Sequence, residues 1–143
     1  NENANNLIKK ISGDILYLDP PYNNRQYLPN YHLLETIARY DNPVIRGKTG
    51  LRNYDNEKSN YCNKNFAENA LEDLISNANF KYLIMSYNNE GIIDEKIIEI
   101  LFKKYGDKKT YKKYEFPYRR YKRTKDNNVK KVNEIMFFIK RNG

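Results

Sequence analysis

The sequence predicts an α/β fold, with parallel central strands in a sheet and an antiparallel hairpin at its edge. Two short runs, residues 15–18 and 82–85, are apolar throughout, as expected of parallel strands that are covered on both faces. Segments with apolar residues at helical spacing lie between and after them, and two more strand-like runs follow in the last third. Alternating strands and helices favour parallel pairing, and consecutive strands favour a hairpin.

The first predicted strand, residues 15–18, is a central parallel strand that leads directly into Asp19, Pro20, Pro21 and Tyr22. Proline donates no hydrogen bond to a sheet and keeps the preceding residue extended, so the strand ends here. Open α/β sheets bind their ligands at the carboxyl ends of the strands. The sequence therefore predicts a functional site at these four residues, which we call the Asp-Pro-Pro-Tyr motif.

A helix and a long loop follow the motif. Apolar residues recur at helical spacing over residues 31–40, where Asn30 can cap the start and Asn42 with Pro43 ends the helix. Residues 43–65 are polar and show neither the helical nor the strand period. Long loops in compact domains are usually functional, so this one is a candidate lid or nucleic-acid contact.

The elements that follow are more regular. Residues 66–78 carry a continuous apolar stripe that predicts a second helix. The second buried strand, residues 82–85, is followed by residues 86–91, which are typical of a turn. Asp94 can cap a third helix, and Gly106 can end it.

The last third of the chain predicts an antiparallel hairpin. Residues 110–116 and 134–140 form its strands, and residues 118–131 form a basic loop between them. Such a loop suits contacts with phosphate groups, which would make affinity fall with added salt. The alternative is a solvated surface loop in a lysine-rich protein.

Composition narrows the class of protein. A length of 143 residues suits one domain, and a formal charge of +8 with a pI near 9.4 attracts polyanions, nucleic acid first and anionic membrane second. The single cysteine, Cys62, excludes an internal disulfide and is expected to be an ordinary thiol in a reducing cytoplasm. No apolar run approaches the roughly 20 residues of a membrane span. We therefore expect a cytoplasmic protein with no membrane partner.

The motif suits chemistry on the exocyclic amine of a nucleobase. Such an amine is a poor nucleophile, because its lone pair is delocalised into the ring. Asp19 and the carbonyl of Pro20 can accept hydrogen bonds from its two N–H groups and favour the reactive, pyramidal nitrogen. Tyr22 offers a ring on which the base can stack, worth roughly 1–3 kcal/mol. A capped turn with Tyr22 packed on it is the structural alternative.

The motif and several stretches around it resemble the D12-class adenine-specific DNA methyltransferases, which transfer a methyl group from S-adenosylmethionine to adenine N6. The stretches are residues 23–27, 30–38, 47–52, 83–88 and 117–122. The resemblance implies a Rossmann-like, S-adenosylmethionine-dependent methyltransferase fold that acts on double-stranded DNA, in a restriction-modification system, without a metal.

The resemblance also implies roles for individual residues. It places Asp19, Pro20 and Tyr22 in catalysis, and Asp19 and Pro21 beside the methyl donor. The residues expected to contact DNA are Tyr22, Arg25, Tyr27, Arg52, Arg119, Arg120, Tyr121, Lys122 and Arg123. His32, the only histidine, is expected to be structural.

The chain departs from the family in its first 18 residues. The Phe-x-Gly-x-Gly loop that binds the donor and the target-recognition region are both absent, so residues 1–143 are expected to be the C-terminal half of a catalytic domain. A missing neighbour would leave the edge of the first strand open to pairing. The expected partner is an N-terminal methyltransferase half or a second copy of the chain.

Two alternative functions remain. An RNA base-amine methyltransferase can carry the same motif, although residues 23–52 favour the DNA enzymes. A non-catalytic nucleic-acid-binding module could retain the fold without the donor site.

Overall fold

The computed structural model describes residues 2–118 and 132–142. They form a four-stranded mixed sheet, a two-stranded hairpin and five α-helices. In chain order, the helices and strands are α1 (Ala4–Leu7), β1 (Ser12–Leu18), α2 (Tyr27–Asn30), α3 (His32–Arg39), β2 (Ile45–Arg46), β3 (Leu51–Arg52), α4 (Ala67–Asn77), β4 (Asn79–Asn88), α5 (Glu95–Tyr105), β5 (Lys112–Tyr118) and β6 (Val132–Lys140).

The main sheet has the strand order β1-β4-β6-β5. β1 and β4 are parallel, with Leu18 opposite Met85, whereas β6 is antiparallel to both β4 and β5. This confirms the predicted parallel pair and edge hairpin. The parallel pair brings the carboxyl end of β1, where the motif begins, beside the carboxyl end of β4.

One face of the sheet carries the core. α4 and α5 pack on the side that bears Leu83, Met85 and Phe137, each of which is fully buried. The predicted stripe of α4 is confirmed, because its apolar residues are buried together. The Asp94 carboxylate accepts a hydrogen bond from the backbone N–H of Lys96 at 2.8 Å, which confirms the predicted cap of α5.

The opposite face of the sheet is open in the described part of the chain. Ile15 and Tyr17 of β1 lie on it with 59% and 58% of their surface exposed, and Phe116 of β5 is exposed as well. Tyr82 and Phe138 stack on this face with ring centroids 6.0 Å apart. An apolar sheet face without a covering layer is therefore the main surface feature of this fold.

The prediction of a covered, central first strand is wrong for the described residues. β1 is an edge strand that pairs only with β4 there. Leu16 and Leu18 contact the core, but Ile15 and Tyr17 do not. The apolar run predicted contacts on two faces, and the described residues supply a covering layer for only one of them.

The predicted helix over residues 31–40 forms as α3, with two differences. Asn30 belongs to the short helix α2, and α3 starts after Tyr31 without a side-chain cap. The helix ends at Arg39 because Tyr40 adopts a left-handed backbone, φ 50°. Its apolar residues do not reach the core: Leu33 is 65% exposed.

Other boundaries also shift. The predicted loop over residues 43–65 contains the β2–β3 hairpin, whose turn uses Gly47 and Gly50 at φ 71° and 66°, and two 3₁₀ turns. β4 extends to Asn88, so residues 86–88 belong to the strand and not to the turn. Strands of two residues are too short to produce a sequence period.

None of the helices in the described ranges is long and apolar enough to cross a membrane.

Candidate functional site

The motif lies where β1 and β4 end side by side. Asp19 follows the last residue of β1, and the Ser86 hydroxyl of β4 donates a hydrogen bond to Asp19 Oδ1 at 3.2 Å. Sequence reasoning missed Ser86, because it assigned this residue to a turn. The parallel register of Leu18 with Met85 is what brings the two side chains together.

The Asp19 carboxylate and the Pro20 carbonyl supply the two predicted acceptors. Within residues 2–118 and 132–142, no donor other than Ser86 is bonded to this carboxylate, and none is bonded to the Pro20 carbonyl. Pro20 and Pro21 are half-buried, and both line the cleft beside the motif. Acceptor capacity therefore remains at this edge of the sheet, as the predicted contact with a base amine requires.

Tyr22 combines a fixed backbone with an exposed ring. Its carbonyl accepts a hydrogen bond from the backbone N–H of Ile92 at 2.9 Å, and 44% of the residue is exposed. The turn that contains Ile92 is anchored to the core, because the backbone N–H of Ile93 donates a hydrogen bond to the buried Tyr87 hydroxyl at 3.2 Å. Gly91 lies against the Tyr87 ring so closely that a Cβ there would be 2.0 Å from it.

Tyr27, a predicted DNA contact, lies beside the motif and lines the same cleft as Asp19. Its ring stacks on Tyr31 with centroids 6.1 Å apart. Partial burial, followed by the negative charge of Asp19, raises the pKa of the Tyr27 hydroxyl. The phenol therefore stays neutral and can donate or accept a hydrogen bond at the edge of the site.

The segment between Tyr22 and Tyr27 is tied to residues 59–62. The Gln26 side chain accepts from the backbone N–H of Ser59 at 2.8 Å and donates to its carbonyl at 3.3 Å. The buried Cys62 thiol donates to the carbonyl of Arg25 at 3.3 Å. The Arg25 side chain remains exposed, which suits the predicted contact with DNA.

The structure does not bring Arg52 to the surface. Its side chain is buried and forms an ion pair with Asp41, including a 3.2 Å hydrogen bond from Nη1 to Oδ1, and Nη1 also lies 3.3 Å from the Thr36 hydroxyl. This guanidinium lowers the pKa of Asp41 through its hydrogen bond and charge. Arg52 holds the β2–β3 hairpin against α3, which argues against the predicted contact with DNA. The sequence shows that Arg52 is charged, but it does not show that this side chain is buried.

The remaining predicted DNA contacts lie outside the described residues. They are Arg119, Arg120, Tyr121, Lys122 and Arg123.

An open cleft of ≈ 640 Å³ runs along the edge of β1 beside the motif. Tyr17, Asp19 and Pro21 form one wall, and Tyr61 with residues 56–59 contributes to the rest. The described part of the chain contains no cluster of three or more His, Cys, Asp or Glu residues suited to a metal ion. The cleft is large enough for a nucleoside, but the chain carries no glycine-rich Phe-x-Gly-x-Gly sequence that could hold a methyl donor.

Comparisons with known proteins find type II methyltransferases and modification methylases. The chain is 51% identical over 141 residues to the type II methyltransferase M.FokI of Planomicrobium okeanokoites and 43% identical over 141 residues to the modification methylase StsI of Streptococcus sanguinis. These matches cover 99% of the chain but only 22% of either relative. It is also 50% identical over 125 residues to the type II methyltransferase M.NlaIII of Neisseria lactamica, covering 87% of the chain and 36% of that relative.

The chain thus spans about a fifth of the length of the first two relatives and about a third of the third. No solved structure matches it significantly. The model of the D12 class N6 adenine-specific DNA methyltransferase family matches residues 1–100, which include the motif and β4. The chain belongs to the D12 class of N6 adenine-specific DNA methyltransferases.

Proposed function

We propose that the chain provides the amine-binding wall of an enzyme that methylates adenine N6 in DNA as the modification arm of a restriction-modification system. The observation that carries this proposal is the placement of Asp19 at the carboxyl edge of the sheet, with acceptor capacity left on its carboxylate and on the Pro20 carbonyl. Family membership supports the reaction class, and the names of the relatives support the biological setting.

In this proposal, Asp19 and the Pro20 carbonyl accept hydrogen bonds from the two N–H groups of the adenine amine. These acceptors draw off the positive charge that develops on nitrogen as it attacks, and they are already in place before the reaction. Tyr22 stacks on the base, which offsets part of the few kcal/mol needed to flip it out of the duplex. S-adenosylmethionine supplies the electrophilic methyl group when it is bound.

Double-stranded DNA is the proposed substrate. Arg25, Tyr22 and Tyr27 lie at the exposed rim of the site, where a flipped nucleotide and its phosphates would enter. The basic residues 119–123 would add phosphate contacts. Arg52 is left out of this surface, because it is buried against Asp41.

The chain is further proposed to act with a second methyltransferase half that carries the donor-binding glycine loop. From this chain, Asp19 and Pro21 would line the donor side of the cleft. Support comes from the edge of β1 and from the open sheet face, which carries the exposed Ile15 and Tyr17. Parallel sheets are normally covered on both faces, and an unpaired apolar edge favours strand addition.

A chimera tests this function. The chain replaces the matching segment of M.NlaIII, the relative of which it covers 36%, and transfer of a labelled methyl group is measured on duplex DNA and on RNA. We expect transfer to adenine in DNA, none from the isolated chain, and a loss of at least about 100-fold in the Asp19→Ala chimera.

Asp14→Ala is the matched control, because Asp14 also lies on β1 but pairs with Lys81 at 2.6 Å on the surface. It should leave transfer within about twofold, which is the range of a surface substitution. Full activity of the Asp19→Ala chimera contradicts the proposed role of the motif. Transfer to RNA alone favours the RNA base-amine methyltransferase. Transfer by the isolated chain contradicts the proposal that a second half must supply the donor-binding loop.

A further inference from the structure

We infer that Ser86 is a positioning residue for the Asp19 carboxylate, an inference that rests on the proposed function. Ser86 lies on β4, and its hydroxyl donates to Asp19 Oδ1 at 3.2 Å. The hydrogen bond uses one carboxylate oxygen and leaves the other, Oδ2, without a donor among the described residues.

The position of Ser86 limits where its hydroxyl can lie. β4 is paired on both sides, with β1 and with β6, and Ser86 itself faces Met136 of β6. The backbone of Ser86 therefore has little freedom, and a serine side chain has a single χ angle that places the hydroxyl. Asp19, in contrast, follows the last residue of an edge strand. A donor on the better-held strand thus fixes the acceptor on the freer one.

The chemical type of the donor matters as much as its place. Asp14 of β1 pairs with the ammonium group of Lys81. A cation paired with Asp19 in the same way would neutralise the negative charge that must offset the positive charge on the attacking nitrogen. A neutral hydroxyl can orient a carboxylate through a charge-assisted hydrogen bond while leaving its full negative charge. In the described ranges, Ser86 is the one side chain that donates to Asp19.

Removal of the Ser86 hydroxyl should leave the fold intact. Ser86 lies on the open face of β4 and is half-buried, whereas its neighbours Met85 and Tyr87 point into the core. A Ser86→Ala variant therefore changes the site without forming a core cavity. This makes a kinetic test possible.

The test uses the chimera with M.NlaIII described above. We expect Ser86→Ala to lower kcat about tenfold, the effect of losing a hydrogen bond to a charged group, with the KM for DNA and for S-adenosylmethionine unchanged. Ser86→Thr retains the hydroxyl and should recover most of the loss. Ser76→Ala is the matched control, because that hydroxyl donates to the Asp73 carbonyl and accepts from the Asn77 side chain within α4, away from the motif.

Unchanged kcat in Ser86→Ala overturns the inference. So does an equal loss in the alanine and threonine variants accompanied by a lower melting temperature, which would show a structural role. These outcomes are separate from failure of the proposed function, because that failure would appear as activity retained in Asp19→Ala.

Discussion

The two faces of the sheet differ in what the described chain provides for them. One face is covered by α4 and α5, and its central residues, such as Leu83 and Phe137, are fully buried. The other face is bare, and Ile15, Tyr17 and Phe116 are exposed on it. This chain therefore stabilises its own fold on one side of the sheet, and its described residues leave apolar surface exposed on the other.

The motif lies at the border between these two regions. Asp19 is bonded to Ser86 on the open face, whereas the Tyr22 carbonyl is bonded to a turn that rests on the buried Tyr87 ring. The Asp19 carboxylate and the Tyr22 backbone are therefore both held by β4 and the turn after it. Groups at the edge of a well-packed sheet keep their geometry while staying accessible.

The largest expected effect is the difference in stability between two leucine-to-alanine variants. Leu71 of α4 is 1% exposed. Leu71→Ala would leave a cavity in the core and should lower the free energy of unfolding by about 2–5 kcal/mol. Leu33→Ala on α3, which is exposed, should change it by less than about 0.5 kcal/mol. Urea unfolding of the full chain, followed by circular dichroism, measures both. A large loss in Leu33→Ala that grows with protein concentration would show that self-association covers the exposed side.

A smaller effect is expected from two tyrosine hydroxyls. Tyr87→Phe removes the buried acceptor of the Ile93 N–H, and an unsatisfied buried donor costs about 1–3 kcal/mol. Tyr114→Phe on the open face serves as the control and should be neutral, since Tyr114 is exposed. Chemical denaturation measures the two variants. If Tyr87→Phe is as stable as the parent chain, the turn under Tyr22 is held by other contacts.

The smallest effect concerns the Arg52–Asp41 ion pair. The hydrogen bond from Arg52 lowers the pKa of Asp41 below its ordinary value of 3.8. A lowered carboxyl pKa stabilises the folded state above the ordinary value, and this contribution is lost as the pH falls through the folded pKa. Protection of α3 and β2–β3 amides from hydrogen exchange should therefore drop below about pH 4 in the parent chain more than in Asp41→Asn.

The double variant Asp41→Asn, Arg52→Gln is the control for that measurement. It should show the same weak pH dependence as Asp41→Asn, because neither variant has the Asp41 carboxyl that titrates. A pH dependence as large as that of the parent chain would mean that another acidic group controls the protection.

Much of the fold and part of the site were predictable from local sequence. Helix α4, the Asp94 cap of α5 and the hairpin of β5 with β6 follow from periods and capping residues that span few positions. The motif was placed correctly at the end of a strand, because proline ends a strand wherever it occurs. The β2–β3 hairpin was missed, since two residues per strand give no period.

Local sequence was enough to predict the main strands and helices, the position of the Asp-Pro-Pro-Tyr motif and the resemblance to the D12 class, because each depends on neighbouring residues. The tertiary structure was needed to show that Ser86 bonds Asp19, that Arg52 is buried against Asp41, and that one face of β1 is bare in the described residues. Register, burial and layer contacts join residues far apart in the chain. No local pattern records such contacts.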